Sequence, residues 1–420
     1  MSIFGFSHPA AGAFSHGPAR SSALLLARLS VAMDPPVPTA DPNPGWTRAP
    51  WSGVVQPPAS ASSAAMMPPP PPRPRAPSAG DEEVHGRFDR AALFQPADIS
   101  AYFDESADVR VGGGDVFRVR TARGSTRGRG RASIAVLCLH GCALSGASFA
   151  LFARRLAERG GENFRVDAMD LRGHGSTRTA DDRDLSLDTM AKDVADVCAR
   201  LYRDDDDDDD ATNDDGNTNV QVVLVGHSMG GAVAARVAQL DLVRNLRGVV
   251  VIDVVEGTAL ASVRGEAMRA AVASRAGKTF ATIGDAVEWC VRVARTTSNV
   301  ESARVSTAHA LVPLRGDAGG DGREGGDGAR GWTWRVDVAK TSAHWEGWYE
   351  GMGERFLRAR CAKLLVLAGT DRLDDVLTVA QMQGKFQTVL FPNAGHAVHE
   401  DEPERCAEAV LGFAARYASP

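Results

Sequence analysis

Apolar residues along the chain fall into two kinds of run. The first kind is continuous: "SIAVLCLHG" (133–141), "VQVVLVG" (220–226), "RGVVVIDVVEG" (247–257), "KLLVLAG" (363–369) and "FQTVLFPNAGH" (386–396). Uninterrupted β-branched and aliphatic stretches of this length predict strands buried on both faces. "DVFRVRTA" (115–122) alternates and predicts a further strand, and "FRVDAMDLRGHGST" (164–177) predicts a strand ending in a glycine-rich turn. The second kind has helical spacing. It comprises "SFALFARRLAERG" (148–160), "SLDTMAKDVADVCARLY" (186–202) with Ser186 placed as N-cap, "GGAVAARVAQL" (230–240) and "PERCAEAVLGFAARY" (403–417). Strands alternating with helices predict an α/β protein, a mostly parallel sheet with helices on both faces.

About a hundred residues separate the strands at 247–257 and 363–369. They include "DAVEWCVRVART" (285–296), which has helical spacing, and the aromatic cluster "WTWRVDVAKTSAHWEGWYEG" (332–351). This predicts a helical cap insert, about 258–355, over the ends of the strands. Trp332, Trp334, Trp345 and Trp348 are expected to pack its core or to form a substrate or partner surface.

Composition trims this picture at one end. Of 22 prolines, 17 precede residue 78, and the only acids in that stretch are Asp34 and Asp41. Such a segment cannot bury enough apolar surface to offset its chain entropy, so residues 1–85 are expected to be disordered and 86–420 to form one α/β domain. Two inserts within that domain also read as loops: the acidic stretch 204–219, opened by seven aspartates, and the Gly/Asp-rich 315–331. The net charge of −6 offers no basic surface, which argues against a nucleic-acid partner. No apolar run reaches the ~18 residues of a membrane helix. The six cysteines are scattered, with no CxxC pair, so reduced thiols and a cytoplasmic or nuclear setting are expected. Residues 1–33 carry arginines, serines and no acid, a composition also compatible with organelle targeting.

The chemistry concentrates at "VVLVGHSMGG" (222–231). Gly-x-Ser-x-Gly between a strand and a helix is the nucleophile-elbow pattern, with Ser228 at its tip. Glycines on either side relieve the collision of a sharp turn with its flanking strand and helix. A serine hydroxyl needs a base. His396 follows the last predicted strand and precedes the last helix; His399 competes with it three residues on. His227 adjoins the serine but points away from an elbow, while His140 and His174 sit in turns and are expected to organise loops. "LHGCA" (139–143) supplies a loop beside the elbow, so the backbone N–H groups of Met229 and Cys142 are the candidate oxyanion donors. The acid is open between Asp253 and Asp371, since both precede His396. Asp253 interrupts an apolar run, where a carboxylate needs a partner such as an imidazole; Asp371 lies in the polar stretch "TDRLDD", next to Arg372.

Several blocks outside the elbow carry more information. "GHSMGGAVA", "VVVIDVVEGTAL", "VESARVS", "TWRVDVAKT", "LAGTDRLDD", "QMQGKFQ" and "GHAVHEDEPE" together resemble the protein phosphatase methylesterase family, over roughly 97–420. That resemblance implies an α/β-hydrolase fold and a triad of Ser228, Asp253 and His396. It also implies a reaction without metal or organic cofactor: removal of the methyl ester from the C-terminal leucine of the protein phosphatase 2A catalytic subunit. The partners implied are that subunit and its core enzyme, whose docking completes the site. The chain departs from the family's glycine triplet, with Cys142 and Ala143 after Gly141. A general small-molecule esterase and a phosphatase-binding protein with vestigial catalysis are the alternatives. Removal of residues 1–85 is expected to leave the melting temperature and the esterase rate nearly unchanged. A large fall in melting temperature of the truncated chain, followed by calorimetry, would overturn the reading of that segment.

Overall fold

The continuous apolar runs occupy the middle of an eight-stranded sheet. The computed structural model describes residues 90–124, 133–202, 220–314, 331–369 and 372–418. The chain divides into two units, Met1–Pro77 and Ser78–Pro420, and all described residues belong to the second. The segment 1–85, the loop 204–219, Asp371 and all but the last residue of 315–331 lie outside the described residues.

The strands are β1 (Glu105–Arg110), β2 (Val116–Arg123), β3 (Ile134–Leu139), β4 (Phe164–Met169), β5 (Gln221–His227), β6 (Leu246–Ile252), β7 (Thr279–Phe280), β8 (Leu311–Pro313), β9 (Trp332–Trp334), β10 (Ala362–Leu367) and β11 (Gln387–Leu390). The main sheet has the order β1-β2-β4-β3-β5-β6-β10-β11. The β1–β2 and β2–β4 pairs are antiparallel and every other neighbour is parallel. Four long helices cover it: α1 (Ala150–Gly160), α2 (Leu187–Leu201), α3 (Met229–Gln239) and α4 (Pro403–Tyr417).

Side chains alternate along each central strand and split the core into two layers. Val136, Cys138, Val223, Val225, Val250 and Val366 pack with α1 and α4. Leu137, Leu139, Leu224, Val251 and Leu367 pack with α2 and α3. A strand apolar at every position therefore needs helices on both sides, which is why these runs show no period of two. The chain leaves β3 for β4 on one side and returns to β5 on the other. That reversal opens a crevice at the carboxyl ends of β3 and β5, where an open α/β sheet places its ligand site.

Asp170, just after β4, fixes the loops that border the crevice. It accepts hydrogen bonds from Arg120 Nη1 at 2.8 Å, from the Gly146 amide at 2.7 Å and from the Ser176 amide at 2.8 Å. Burial raises the pKa of this carboxyl, but Arg120, these amides and His140 outweigh that and leave it below its ordinary value. The two loop histidines serve the same region. His140 Nε2 accepts from the Leu171 amide at 2.9 Å, and His174 Nδ1 lies 2.8 Å from the Arg172 carbonyl.

Several elements differ from expectation. β1 was not read as a strand because it is exposed at five of six positions and its alternation is limited to Ala107 and Val109. β6 ends at Ile252, short of the predicted 257, because Asp253 takes a φ of 51° and turns the chain. Ser186 does stand at the N-cap of α2, yet its Oγ donates to Thr189 Oγ1 at 2.8 Å instead of capping a backbone amide. The stretch at 285–296 is an α-helix only to Trp289 and then widens to a π turn over Cys290–Ala294. The insert between β6 and β10 holds helices, as predicted, and also a three-stranded antiparallel sheet of order β7-β9-β8. Strands of two or three residues are too short to show a period. Trp334 and Trp348 are buried in the insert and Trp332 and Trp345 half-buried. All six cysteines are free thiols. Among the described residues no helix is long and apolar enough to cross a membrane.

Glu400 is a buried carboxyl raised far from its ordinary value. Burial pushes it up to about 8, only partly opposed by a hydrogen bond with Ser306, and its Oε1 has no partner. A carboxyl raised on folding binds its proton more tightly in the native state. Its contribution is therefore complete below the unfolded value near 4.5 and is lost as pH rises through about 8. Glu400→Gln should flatten the fall in melting temperature between pH 5 and 8.5, with the largest gain at the alkaline end. Calorimetric curves for the two proteins that run parallel across that range would contradict this.

Candidate active site

β5 ends at His227 and α3 begins at Met229, which leaves Ser228 alone to make the turn. Its φ of 51° and ψ of −118° are costly for a residue with a Cβ. Neighbouring backbone holds it there. The Ser228 amide donates to the Ile252 carbonyl at 3.1 Å, and the Ser228 carbonyl accepts from the Gly231 and Ala232 amides at 2.9 and 3.2 Å. The flanking glycines are required by space. A Cβ on Gly226 would stand 2.2 Å from the Gly230 carbonyl oxygen, and one on Gly230 would stand 2.2 Å from that of Leu139.

Asp253 and His396 meet from sites 143 residues apart. His396 donates Nδ1–H to Asp253 Oδ2 at 2.8 Å. That leaves Nε2 as the ring nitrogen with a free lone pair. Asp253 is buried at the end of β6, and its Oδ1 accepts the Ala368 amide at 2.9 Å. A third partner comes from Arg372, whose Nη1 lies 2.9 Å from the same Oδ2. Sequence reading had given Arg372 no such part; its signal was only adjacency to Asp371, because the contact depends on how the loop after β10 folds back over β6.

His399, the competing histidine, sits elsewhere. It is buried, stacks on Phe149 with ring centroids 4.2 Å apart, and its Nε2 lies 3.3 Å from Ser148 Oγ. Burial, aided by the nearby charges of His396 and His140, lowers it to about 3, so it stays neutral. His227 is likewise held far below its ordinary value by burial and by its histidine neighbours. It turns away from the serine and donates Nε2–H to the His396 carbonyl at 3.0 Å, which anchors the loop that carries His396.

The loop after β3 lies against the elbow. A Cβ on Gly141 would stand 3.3 Å from Ser228 Cβ and 2.7 Å from His227 Nδ1. The Met229 amide opens α3 and has no acceptor within the helix. Among the described residues the Cys142 amide is not taken by another backbone group either. The Cys142 thiol turns to the insert, with Sγ 3.6 Å from Thr341 Oγ1, and burial raises its pKa. Thr341 Oγ1 also accepts Trp345 Nε1–H at 2.8 Å. From the next turn of the insert comes the buried Tyr349, whose pKa burial raises and the nearby Ser228 hydroxyl lowers in part. Neither Thr341 nor Tyr349 was legible from sequence, since nothing in the local pattern reports a contact across more than a hundred residues. Among the described residues no three His, Cys, Asp or Glu side chains converge as metal ligands would.

A strained serine before a helix, one strand over from a buried carboxylate that holds an imidazole, is the equipment of a serine hydrolase. Comparison with known proteins agrees. The model of the alpha/beta hydrolase family matches residues 136–409. The chain is 36% identical over 381 residues to protein phosphatase methylesterase 1 of Bos taurus, covering 82% of this chain and 93% of that protein. The figures for the Homo sapiens protein of that name are 36%, 82% and 92%. The probable protein phosphatase methylesterase 1 of Caenorhabditis elegans is 36% identical over 319 residues, covering 76% of this chain and 77% of that protein. Among solved structures, E-2-(acetamidomethylene)succinate hydrolase shares the fold with a TM-score of 0.53 at 22% identity, covering 74% of this chain and 99% of that one. The thioesterase domain of the curacin biosynthetic pathway does so with a TM-score of 0.51 at 18% identity, covering 73% and 99%. The chain is a carboxylic ester hydrolase of the α/β-hydrolase fold and belongs to the protein phosphatase methylesterase family.

Proposed function

We propose that Ser228, His396 and Asp253 act as nucleophile, base and orienting acid in removing the methyl ester from the C-terminal leucine of the protein phosphatase 2A catalytic subunit. The observation that carries this reading is the 2.8 Å bond from His396 Nδ1 to Asp253 Oδ2, at the strand end next to that of Ser228. The names and coverage of the relatives support the substrate.

Ser228 Oγ attacks the ester carbonyl while its proton passes to His396 Nε2. The carbonyl oxygen becomes an oxyanion and accepts the Met229 and Cys142 amides, each worth ~3 kcal/mol of transition-state stabilisation in comparable sites. Collapse breaks the bond to the methoxy group, which takes the proton from His396 and leaves as methanol. Water then attacks the acyl-enzyme, gives a proton to His396, and releases the leucine carboxylate with Ser228 restored. Asp253 holds the imidazole in the tautomer that accepts at Nε2 and stabilises it when charged. Arg372 supports that carboxylate from the other side. These steps use protein groups and water alone.

The direct test incubates the purified chain with methylated phosphatase 2A core enzyme and follows loss of the methyl group, beside a panel of p-nitrophenyl esters. Rapid turnover of the small esters with an untouched phosphatase would instead mark a general esterase. Ser228→Ala should abolish turnover and labelling by a fluorophosphonate while keeping phosphatase binding. Asp253→Asn should lower kcat by up to ~10⁴, because the amide holds the imidazole in the wrong tautomer. Asp371→Asn should leave substantial turnover, and the opposite ranking in two folded variants would transfer the role of the acid.

A further inference from the structure

The insert holds a cation that no described carboxylate answers. Arg275 ends the helix Glu266–Arg275, and its guanidinium carbon stands 3.9 Å from the centroid of the Trp334 ring. Its Nε is buried without a hydrogen-bond partner, and so is Nε1 of Trp334. Both side chains line one cavity of about 180 Å³, with Thr333, Asp337 and Val338 in its wall. Asp337 is engaged elsewhere: Oδ1 accepts the Ala339 amide at 3.2 Å, and Oδ2 lies 3.4 Å from Lys340 Nζ. Burial holds the pKa of Arg275 below its ordinary value, opposed only by Cys290 and Cys142. Two buried N–H donors left without partners, on residues that line one cavity, are expensive to keep.

One short helix links the cavity to the reaction centre: Val338 stands in the cavity wall, and Thr341, at the other end of the helix Val338–Thr341, has its Oγ1 3.6 Å from Cys142 Sγ in the loop beside Ser228. We propose that this cavity is a subsite for a carboxylate carried by the polypeptide substrate upstream of its esterified C-terminal residue. A guanidinium held over the Trp334 ring is a planar donor suited to two-point recognition, which a carboxylate matches. The substrate's own terminal carboxyl is at Ser228 as the ester, so the group at Arg275 has to be a second one, an acidic side chain. This inference rests on the peptide-ester reading above.

Peptides ending in leucine methyl ester, with Asp or Asn at each of the preceding positions in turn, test it on the full chain through methanol release. Asp at one position should raise kcat/KM about tenfold over Asn, with the difference in KM. Arg275→Met should bring that ratio close to one, and Arg275→Lys should keep part of it. The ratio is read within each enzyme, so a general loss of activity or folding cancels. A ratio near one at every position in the wild type, or one that Arg275→Met leaves intact, overturns the proposal. A second arm titrates Ser228→Ala with the demethylated peptides and reads tryptophan fluorescence. Asp-dependent binding there, with no peptide hydrolysed by the wild type, would overturn the reaction reading and keep the subsite. Millimolar acetate that reproduces the fluorescence change would assign the cavity to free carboxylates and overturn its assignment to the peptide.

Discussion

A carboxylate at the end of a buried strand is stable only if every oxygen is answered. Asp253 meets that condition by joining three loops: the Ala368 amide on Oδ1, with His396 and Arg372 on Oδ2. The ends of β6, β10 and β11 are thereby tied at one point. The turn that begins at Asp253 needs a positive φ, and the adjacent strand end at Ser228 needs one too. Two strained residues side by side persist because the sheet beneath them is apolar on both faces and has no alternative register. The geometry of the site is thus a consequence of how firmly β3, β5, β6 and β10 are packed.

The insert finishes what the sheet begins. Thr341, held by Trp345, and Tyr349 approach the loop after β3 and the elbow from one continuous stretch of chain. Around them the histidines are sorted by burial. His227 and His399 are kept neutral, whereas half of the His396 side chain is open. A proton arriving at His396 therefore meets no neighbouring imidazolium.

The sheet was legible because continuous apolar runs admit few structures other than central strands. The elbow was legible because glycine at 226 and 230 answers a demand of space that no other residue meets. The placement of His396 after the last strand followed from chain order alone. What sequence did not reveal shares one trait: it depends on contacts between distant segments. Arg372 reaches Asp253, Tyr349 reaches Ser228, and β1 pairs at the sheet edge with exposed residues, none of which leaves a periodic trace. The choice between Asp253 and Asp371 could not be made from order. Burial was the hint that favoured Asp253, which is bonded to the imidazole, while Asp371 lies outside the described residues.

Glu256 gives the molecule a mechanical link. Its Oε1 accepts the Gly351 amide at 2.7 Å and its Oε2 the Gly353 amide at 3.0 Å, clipping the exit of the insert to a point three residues beyond Asp253. Gly351 takes a φ of 74°, so the clipped turn has a defined shape that a side chain would strain. The helix Met352–Arg358 then packs on α3, which starts at the serine. Force applied to the insert by a large protein substrate thus has two short, stiff routes inward. One ends near Asp253 and the other at Ser228, so these two residues are displaced together.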